Sequence, residues 1–443
     1  MSYPGDTKFD SPNAPFLTDS PGQHDLLDYE IRSKRRRRTF RIMTCFLVLA
    51  GILFGTELLG QYSPRWFSGS SFVGCPGHRR PHSYPIPPGI KLEECTDWND
   101  LPDSARALNS MSTNITLDDP SNLFFVSRGS LSYGKILITQ YDNPSRDSVE
   151  VNVAVRNGFQ EMSKVCKIIR DDGANGIGIF TPNWDRRRRA RGPIFDVKVD
   201  LPKSSKKKPL VVQSLETDLP MFRHTLGNIG EHVFFKNLLL SSINEAIETG
   251  PLRTEVVNIS TVNAGISGRY YTNSSITLKT VNAPISVLLE MINENVTHAT
   301  TAELYTTNSH IDFTANLTST QENDGGAFGI VAETARGHID ADIVETPIDS
   351  ILTLEAQTAL ARIDARLPTT FQGQFDLETV LSKASLDYKE DVEDPAGKGR
   401  KRHLQVDSVK RNQIQGATWW SNENKAKGSA VLKTSMGKVN LHL

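Results

Sequence analysis

Asp340-Ala341-Asp342 has the D-x-D form with which many membrane-bound glycosyltransferases hold a divalent metal and a nucleotide sugar. In HIDADIV, however, these aspartates alternate with Ile339, Ala341 and Ile343. Period-two alternation is that of a strand with one apolar and one solvated face, so the motif reads first as an exposed acidic strand. Cys75, His78, His82 and Cys95 give C-x2-H and H-x3-H spacings that approach a tetrahedral zinc set. They lie in a Pro- and Gly-rich stretch with Arg79 and Arg80 between them, which opposes a cation. His224 and His338 invite comparison with hydrolase triads, but no G-x-S-x-G elbow supplies a nucleophile. No catalytic residue, metal-ligand set or cofactor is assigned, and the chain is read as a non-enzyme.

The elements around these residues begin with an apolar run. Residues 42–59 read IMTCFLVLAGILFGTELL, enough for a short membrane-spanning helix, with Glu57 near its far end. Arg32, Lys34, Arg35, Arg36, Arg37, Arg38 and Arg41 precede the run and only Arg65 follows closely, so the positive-inside bias keeps the N-terminus cytosolic. This predicts a single-pass signal anchor, at the plasma membrane or in the secretory pathway. Residues 1–41 are then a disordered cytosolic tail with a basic flank, 60–112 a Pro/Gly/Ser-rich stalk, and 113–443 an exoplasmic domain. Five N-x-[ST] sequons, at Asn114, Asn258, Asn273, Asn295 and Asn316, all fall on the exoplasmic side and are expected to be glycan acceptors. That side is oxidising and admits a Cys75–Cys95 disulfide, which leaves Cys166 free. Across 443 residues the formal charge is −1 with 38% hydrophobic residues, a globular balance that excludes a nucleic-acid-coating protein. The basic runs at 186–189 and 400–402 read as solvated loops, open to proteolysis or to anionic glycans and headgroups.

From about Thr113 short β-branched runs dominate, and VEVNVAV and FDVKVDL alternate with period two. A unit then recurs: SINEAI at Ser242, TVNAGI at Thr261, TVNAPI at Thr280 and TTNSHI at Thr306, with Asn244, Asn263, Asn282 and Asn308 in the same place. It continues without Asn as TARGHI at Thr334 and TALARI at Thr358, and more weakly as TVLSKA at Thr379 and TSMGKV at Thr434. Spacings of 19, 19, 26, 28 and 24 residues separate Ile247, Ile266, Ile285, Ile311, Ile339 and Ile363. Such a period predicts stacked β units whose length changes are absorbed in loops. The Asn residues are expected at corners with left-handed backbone, and the Ile residues return the chain inward. The fold class expected is all-β, a repetitive β-solenoid-like or β-sandwich exoplasmic domain behind one N-terminal transmembrane helix.

With GIFTPNW, FDVKVDLP, LETDLPMF and the Thr/Asn/Ile units, residues 120–443 resemble adhesin-like β-repeat families and, more closely, a family of fungal membrane-anchored proteins of unknown function. The resemblance implies a scaffold and supplies no catalytic residues. The inserts at Arg186 to Arg191 and around Trp419-Trp420 depart from it. The expected role is adhesion or scaffolding at a membrane, with glycans or surface proteins as partners and no nucleic acid. The alternatives are a secretory-pathway enzyme modifying glycans, and an ectodomain released at a basic loop.

Overall fold

The computed structural model describes residues 84–98, 110–130, 132–141, 147–156, 163–183, 192–320 and 325–443. The expected tail (1–41), span (42–59), Cys75 and the run 186–189 lie outside the described residues. Among the described residues no helix is long and apolar enough to cross a membrane. The described chain is all-β, with one 3-10 turn at Asn422–Asn424.

In chain order the first strands are β1 (Ile90–Cys95), β2 (Ser110–Leu117), β3 (Asn122–Arg128), β4 (Tyr133–Gln140), β5 (Val149–Arg156), β6 (Lys164–Arg170), β7 (Asn175–Phe180) and β8 (Ile194–Leu201). The central ones are β9 (Leu210–Asp218), β10 (Phe222–Leu226), β11 (Val233–Ser241), β12 (Ile247–Ser260), β13 (Ile266–Lys279), β14 (Ile285–Asn293), β15 (Thr300–Tyr305), β16 (Ile311–Ser319), β17 (Ala327–Glu333), β18 (Ile339–Glu345), β19 (Ile351–Thr358) and β20 (Ile363–Arg366). The chain ends with β21 (Gly373–Thr379), β22 (Ala384–Asp387), β23 (His403–Lys410), β24 (Gln413–Trp419), β25 (Gly428–Thr434) and β26 (Val439–His442).

Apart from β1, β2, β5, β6, β23 and β24, which pair antiparallel, these strands sort into two parallel ladders, and successive ones alternate between them. One ladder runs β7, β3, β9, β11, the second half of β12, the second half of β13, β15, β17, β19, β25, β21. The other runs β8, β4, β10, the first halves of β12 and β13, β14, β16, β18, β20, β26, β22. Each coil of chain thus gives one strand to each ladder. β12 and β13 serve both because they bend: the β12–β13 register shifts between Thr249 and Pro251 and again between Thr254 and Val256. Proline has no N–H to give a ladder, so a corner is where it is tolerated.

The alternation read from sequence is realised strand by strand. β5 buries Val149, Val151, Val153 and Val155, and β14 buries Ile285, Val287, Leu289, Met291 and Asn293. The repeat aliphatics form one interior column in register, Ile247, Ile266, Ile285, Ile311, Ile339, Ile363, Val439 and Ala384. None of the eight is more than 3% exposed. At roughly 1.5–3 kcal/mol for each fully buried Ile, this column is a large share of what holds adjacent coils together.

The Thr and Ser that open each unit are also buried, and their hydroxyls stitch coil to coil. Thr306 donates to the Ala283 carbonyl (3.1 Å), Thr334 to Ser309 (2.8 Å), Thr358 to Gly337 (2.9 Å), Thr434 to Ala361 (3.0 Å) and Thr379 to Gly437 (2.9 Å). The last two bonds follow the stack rather than the chain, because the β25–β26 coil is inserted between β19–β20 and β21–β22.

The Asn corners differ from expectation. Asn244, Asn263, Asn282 and Asn308 sit at the exposed turns, yet among the described residues Asp349 is the non-glycine residue with positive φ (60°). Their amides instead form a ladder: Asn263 donates to Asn244 (2.6 Å), Asn282 to Asn263 (2.7 Å) and Asn308 to Asn282 (2.6 Å). What repeats is a side chain that both donates and accepts, not a backbone conformation.

The expected Cys75–Cys95 bridge is also replaced, since Cys95 is bonded to Cys166. The antiparallel β1–β6 pairing puts these two residues directly opposite each other, with Cα atoms 4.0 Å apart. β1 therefore draws part of the 60–112 segment into the fold. Tyr84, Ile90 and Leu92 pack on a second apolar cluster of Phe124, Val126, Ile168 and Phe180, outside the main core.

Candidate functional site

Chemistry-bearing side chains gather on the solvent face of the second ladder. Because the coils stack in register, one outward position forms the column Ser286, Asp312, Asp340, Asp364, Asn440, Ser385. Two residues before it in each coil, at the turn entering the strand, stand Pro284, His310, His338, Arg362, Lys438 and Lys383. Parallel strands lie about 4.8 Å apart, so three stacked carboxylates repel unless cations stand between them.

Side chains before and after the column stand against these carboxylates. Arg362 reaches back to the Asp340 carboxylate at 2.7 and 3.0 Å. Asp364 faces His442 (3.4 Å), Arg366 (3.5 Å) and the Asn440 amide (3.2 Å). Around Asp312 the partners are imidazoles at longer range: His338 Nε2 lies 3.4 Å from Asp312 Oδ1 and 3.5 Å from Asp340 Oδ2, and His310 Nε2 lies 3.6 Å from Asp312 Oδ2. The two imidazole rings stack, with centroids 4.8 Å apart and planes 10° from parallel. Asp312, His338 and Asp340 place one ligand atom each within 4.8 Å of one another, the spacing of a divalent-ion site. A groove of about 350 Å³ runs along this face, lined by Ser286, Asp312, Asp340, Asp342 and Arg366 among others.

The D-x-D aspartates are thus on the outer face, with Ile339, Ala341 and Ile343 buried between them, as an exposed acidic strand requires. Asp342 falls in the neighbouring column with Thr314 and Arg366, not beside the imidazoles. His224 is nowhere near this face. It is fully buried, bonded to the Thr217 hydroxyl (2.8 Å) and the Phe222 carbonyl (3.0 Å), and burial pushes its pKa down to about 4. Neither His224 nor its surroundings offers a nucleophile in the open.

On the opposite outer face Tyr305 lies among Glu303, Glu333 and Glu355. Burial, then the Glu355 and Glu303 charges, raise the Glu333 carboxyl above its ordinary value. Burial and the same carboxylates push the Tyr305 hydroxyl up to about 12.

Of the sequon asparagines, Asn114, Asn258 and Asn295 are exposed, while Asn273 and Asn316 are half-buried with their amides donated to Glu294 and Glu290 (3.2 Å each). The 400–402 run is not a solvated loop throughout. Arg400 clamps Asp394 (2.8 and 2.9 Å), and Arg402 is buried over the Tyr388 ring. Trp419 and Trp420 are buried as well, their indole N–H groups bonded to Asn422 and the Thr369 carbonyl.

The imidazole and carboxylate group was missed in sequence although its signal is there. The tripeptide His-Ile-Asp occurs at 310–312 and again at 338–340, one repeat apart. Aligning the units on Ile superimposes both the His and the Asp.

No protein-family model matches the chain, and no curated protein matches it. Among solved structures it is similar to a candidate cell adhesion protein from Clostridium sporogenes, at 7% identity over 75% of this chain and 99% of that one, with a TM-score of 0.15. It is similar also to a candidate adhesin from Parabacteroides merdae (13% identity, 56% and 97% covered, TM-score 0.21). A third similar chain is a candidate lipid binding protein from Parabacteroides distasonis (9% identity, 76% and 97% covered, TM-score 0.23).

Proposed function

We propose that this chain is a non-enzymatic, single-pass membrane glycoprotein whose exoplasmic two-faced β-solenoid serves adhesion or scaffolding. The observation that carries this reading is the in-register outer face. A column such as Asp312, Asp340 and Asp364 repeats one chemical group at the strand spacing along the stack, a geometry suited to an extended partner, a glycan chain or another surface protein. The aspartates of the D-x-D motif lie on that open face, and His224 is sealed in the core. Both placements favour binding over turnover of a small substrate, which enzymes enclose in concave, largely apolar pockets.

The sequence supports the same reading: the basic residues before 42–59 favour a cytosolic N-terminus, and all five sequons fall on the other side of that segment. Full-length protein made in sealed microsomes, with a tag at each end, tests this. The C-terminal tag is expected to resist added protease and the protein to lose mass on deglycosylation. Digestion of an unglycosylated C-terminal domain overturns the orientation and the adhesion role with it.

A further inference from the structure

The geometry points to a divalent transition-metal site, of the zinc class, formed by His338 Nε2, Asp312 Oδ1 and Asp340 Oδ2. Tetrahedral coordination with bonds of about 2.0–2.1 Å sets ligand atoms roughly 3.3 Å apart. His338 Nε2 lies 3.4 and 3.5 Å from the two carboxylate oxygens, close to that edge length and longer than a good hydrogen bond. All three ligand atoms fall within 4.8 Å of one another, so a small closing movement completes one face of a tetrahedron.

A second observation bears on the same place, and of the two column aspartates that show it, Asp312 and Asp364, only Asp312 has an imidazole and a second carboxylate set around one point. Asp312 Oδ1 is buried although its side chain is partly exposed, and it accepts no hydrogen bond. A buried carboxylate oxygen without a donor costs free energy that a bound cation removes. The neighbouring coil shows the alternative solution within the same molecule. There Arg362 occupies the His position and takes both Asp340 oxygens, at 3.0 and 2.7 Å, so Asp340 Oδ2 would meet the ion with the lone pair that Arg362 leaves over, and the carboxylate would be shared between a fixed cation and the metal. His310, stacked on His338 and 3.6 Å from the other Asp312 oxygen, is a positioning residue that orients both ligands. With three protein ligands the fourth position faces the groove, open to water or to an oxygen of a bound partner. The site stands on these residues alone, whether or not the outer face carries an adhesion partner.

The test uses full-length protein purified in detergent, stripped with chelator and titrated with Zn²⁺ against a competing indicator, and with Co²⁺ for its visible ligand-field absorption. One tightly bound Zn²⁺ per chain is expected, with tetrahedral-type Co²⁺ absorption. His338→Ala and Asp312→Asn should each weaken binding by more than about tenfold with the thermal midpoint of the metal-free protein unchanged. Asp364→Asn, one coil beyond, and the His78→Ala/His82→Ala pair in the 60–112 segment should leave it intact. The proposal is overturned by the absence of stoichiometric binding, by full binding in His338→Ala, or by loss of binding in the His78/His82 variant.

Discussion

His224 shows how this fold treats a titratable group it does not expose. The imidazole is sealed between the ladders, bonded to Thr217 and to a backbone carbonyl, and is held neutral because burial penalises its charged form. Its folded pKa, about 4, lies below the ordinary 6.5. Between those values the unfolded chain binds more protons than the folded one, so stability rises with pH across that window. The contribution is complete above pH 6.5 and is lost as pH falls toward 4, amounting to about 3 kcal/mol at roughly 1.4 kcal/mol per tenfold. Comparing chemical-denaturation midpoints of wild type and His224→Gln from pH 7 to about 4 isolates it: the wild type should lose stability more steeply. Parallel profiles for the two proteins rule the account out. The burial of His224 was not visible in the sequence, where no neighbouring pattern marks it, whereas His338 carries the repeated His-Ile-Asp. Only the strand register separates a core imidazole from one on the acidic face.

At the scale of the element, the corner of each coil carries two ladders of unequal worth. Thr358 is buried and its hydroxyl satisfies the Gly337 carbonyl of the coil below, whereas the Asn244–Asn308 amides bond one another at the solvent surface. Thr358→Val keeps shape and β-branching but removes a part-buried hydroxyl–carbonyl bond, so it should cost about 1 kcal/mol. Asn282→Ala breaks two amide bonds but leaves groups that water can reach, and should cost less than about 1 kcal/mol. Denaturant midpoints of the two variants check the order, and an Asn282 effect larger than that of Thr358 reverses the interpretation. This corner was the most legible part of the sequence. The Thr and the Ile five residues later are fixed in type because one is buried at a turn and the other in the core column. The role of the Asn was misjudged, since a repeated Asn marks equally a left-handed turn and an amide ladder. Pairing of Cys95 with Cys166 could not be read either, because it depends on β1 folding back on β6 across a separation of 71 residues.

For the whole molecule the decisive feature is the difference between chain order and stack order. The weak units at Thr379 and Thr434 are legible as repeats, but nothing local says that the later one lies beneath the earlier. Both ends of the first ladder finish in antiparallel strands, β6 and β1 at one and β24 and β23 at the other, which blocks further parallel growth of that ladder. Deleting residues 428–443 therefore removes an inner coil, not an end. β21 and β22 would lose their parallel partners while β19 and β20 gained an open edge. Hydrogen exchange on the shortened protein should show protection lost at those amides of Gly373–Thr379 and Ile351–Thr358 that face β25, while those facing β24 and β17 keep theirs. Unchanged protection along both segments contradicts the inserted arrangement.

The inserted coil also governs time. A simple stack can be laid down one turn after another as the chain emerges, each turn settling on the one before it. Here β21 and β22 come off the ribosome with no finished surface to settle on, and must wait for β25 and β26 to fill the space beneath them. The C-terminal part then locks in a single late event that joins distant segments, a slow kind of step that leaves strand edges exposed in the interval.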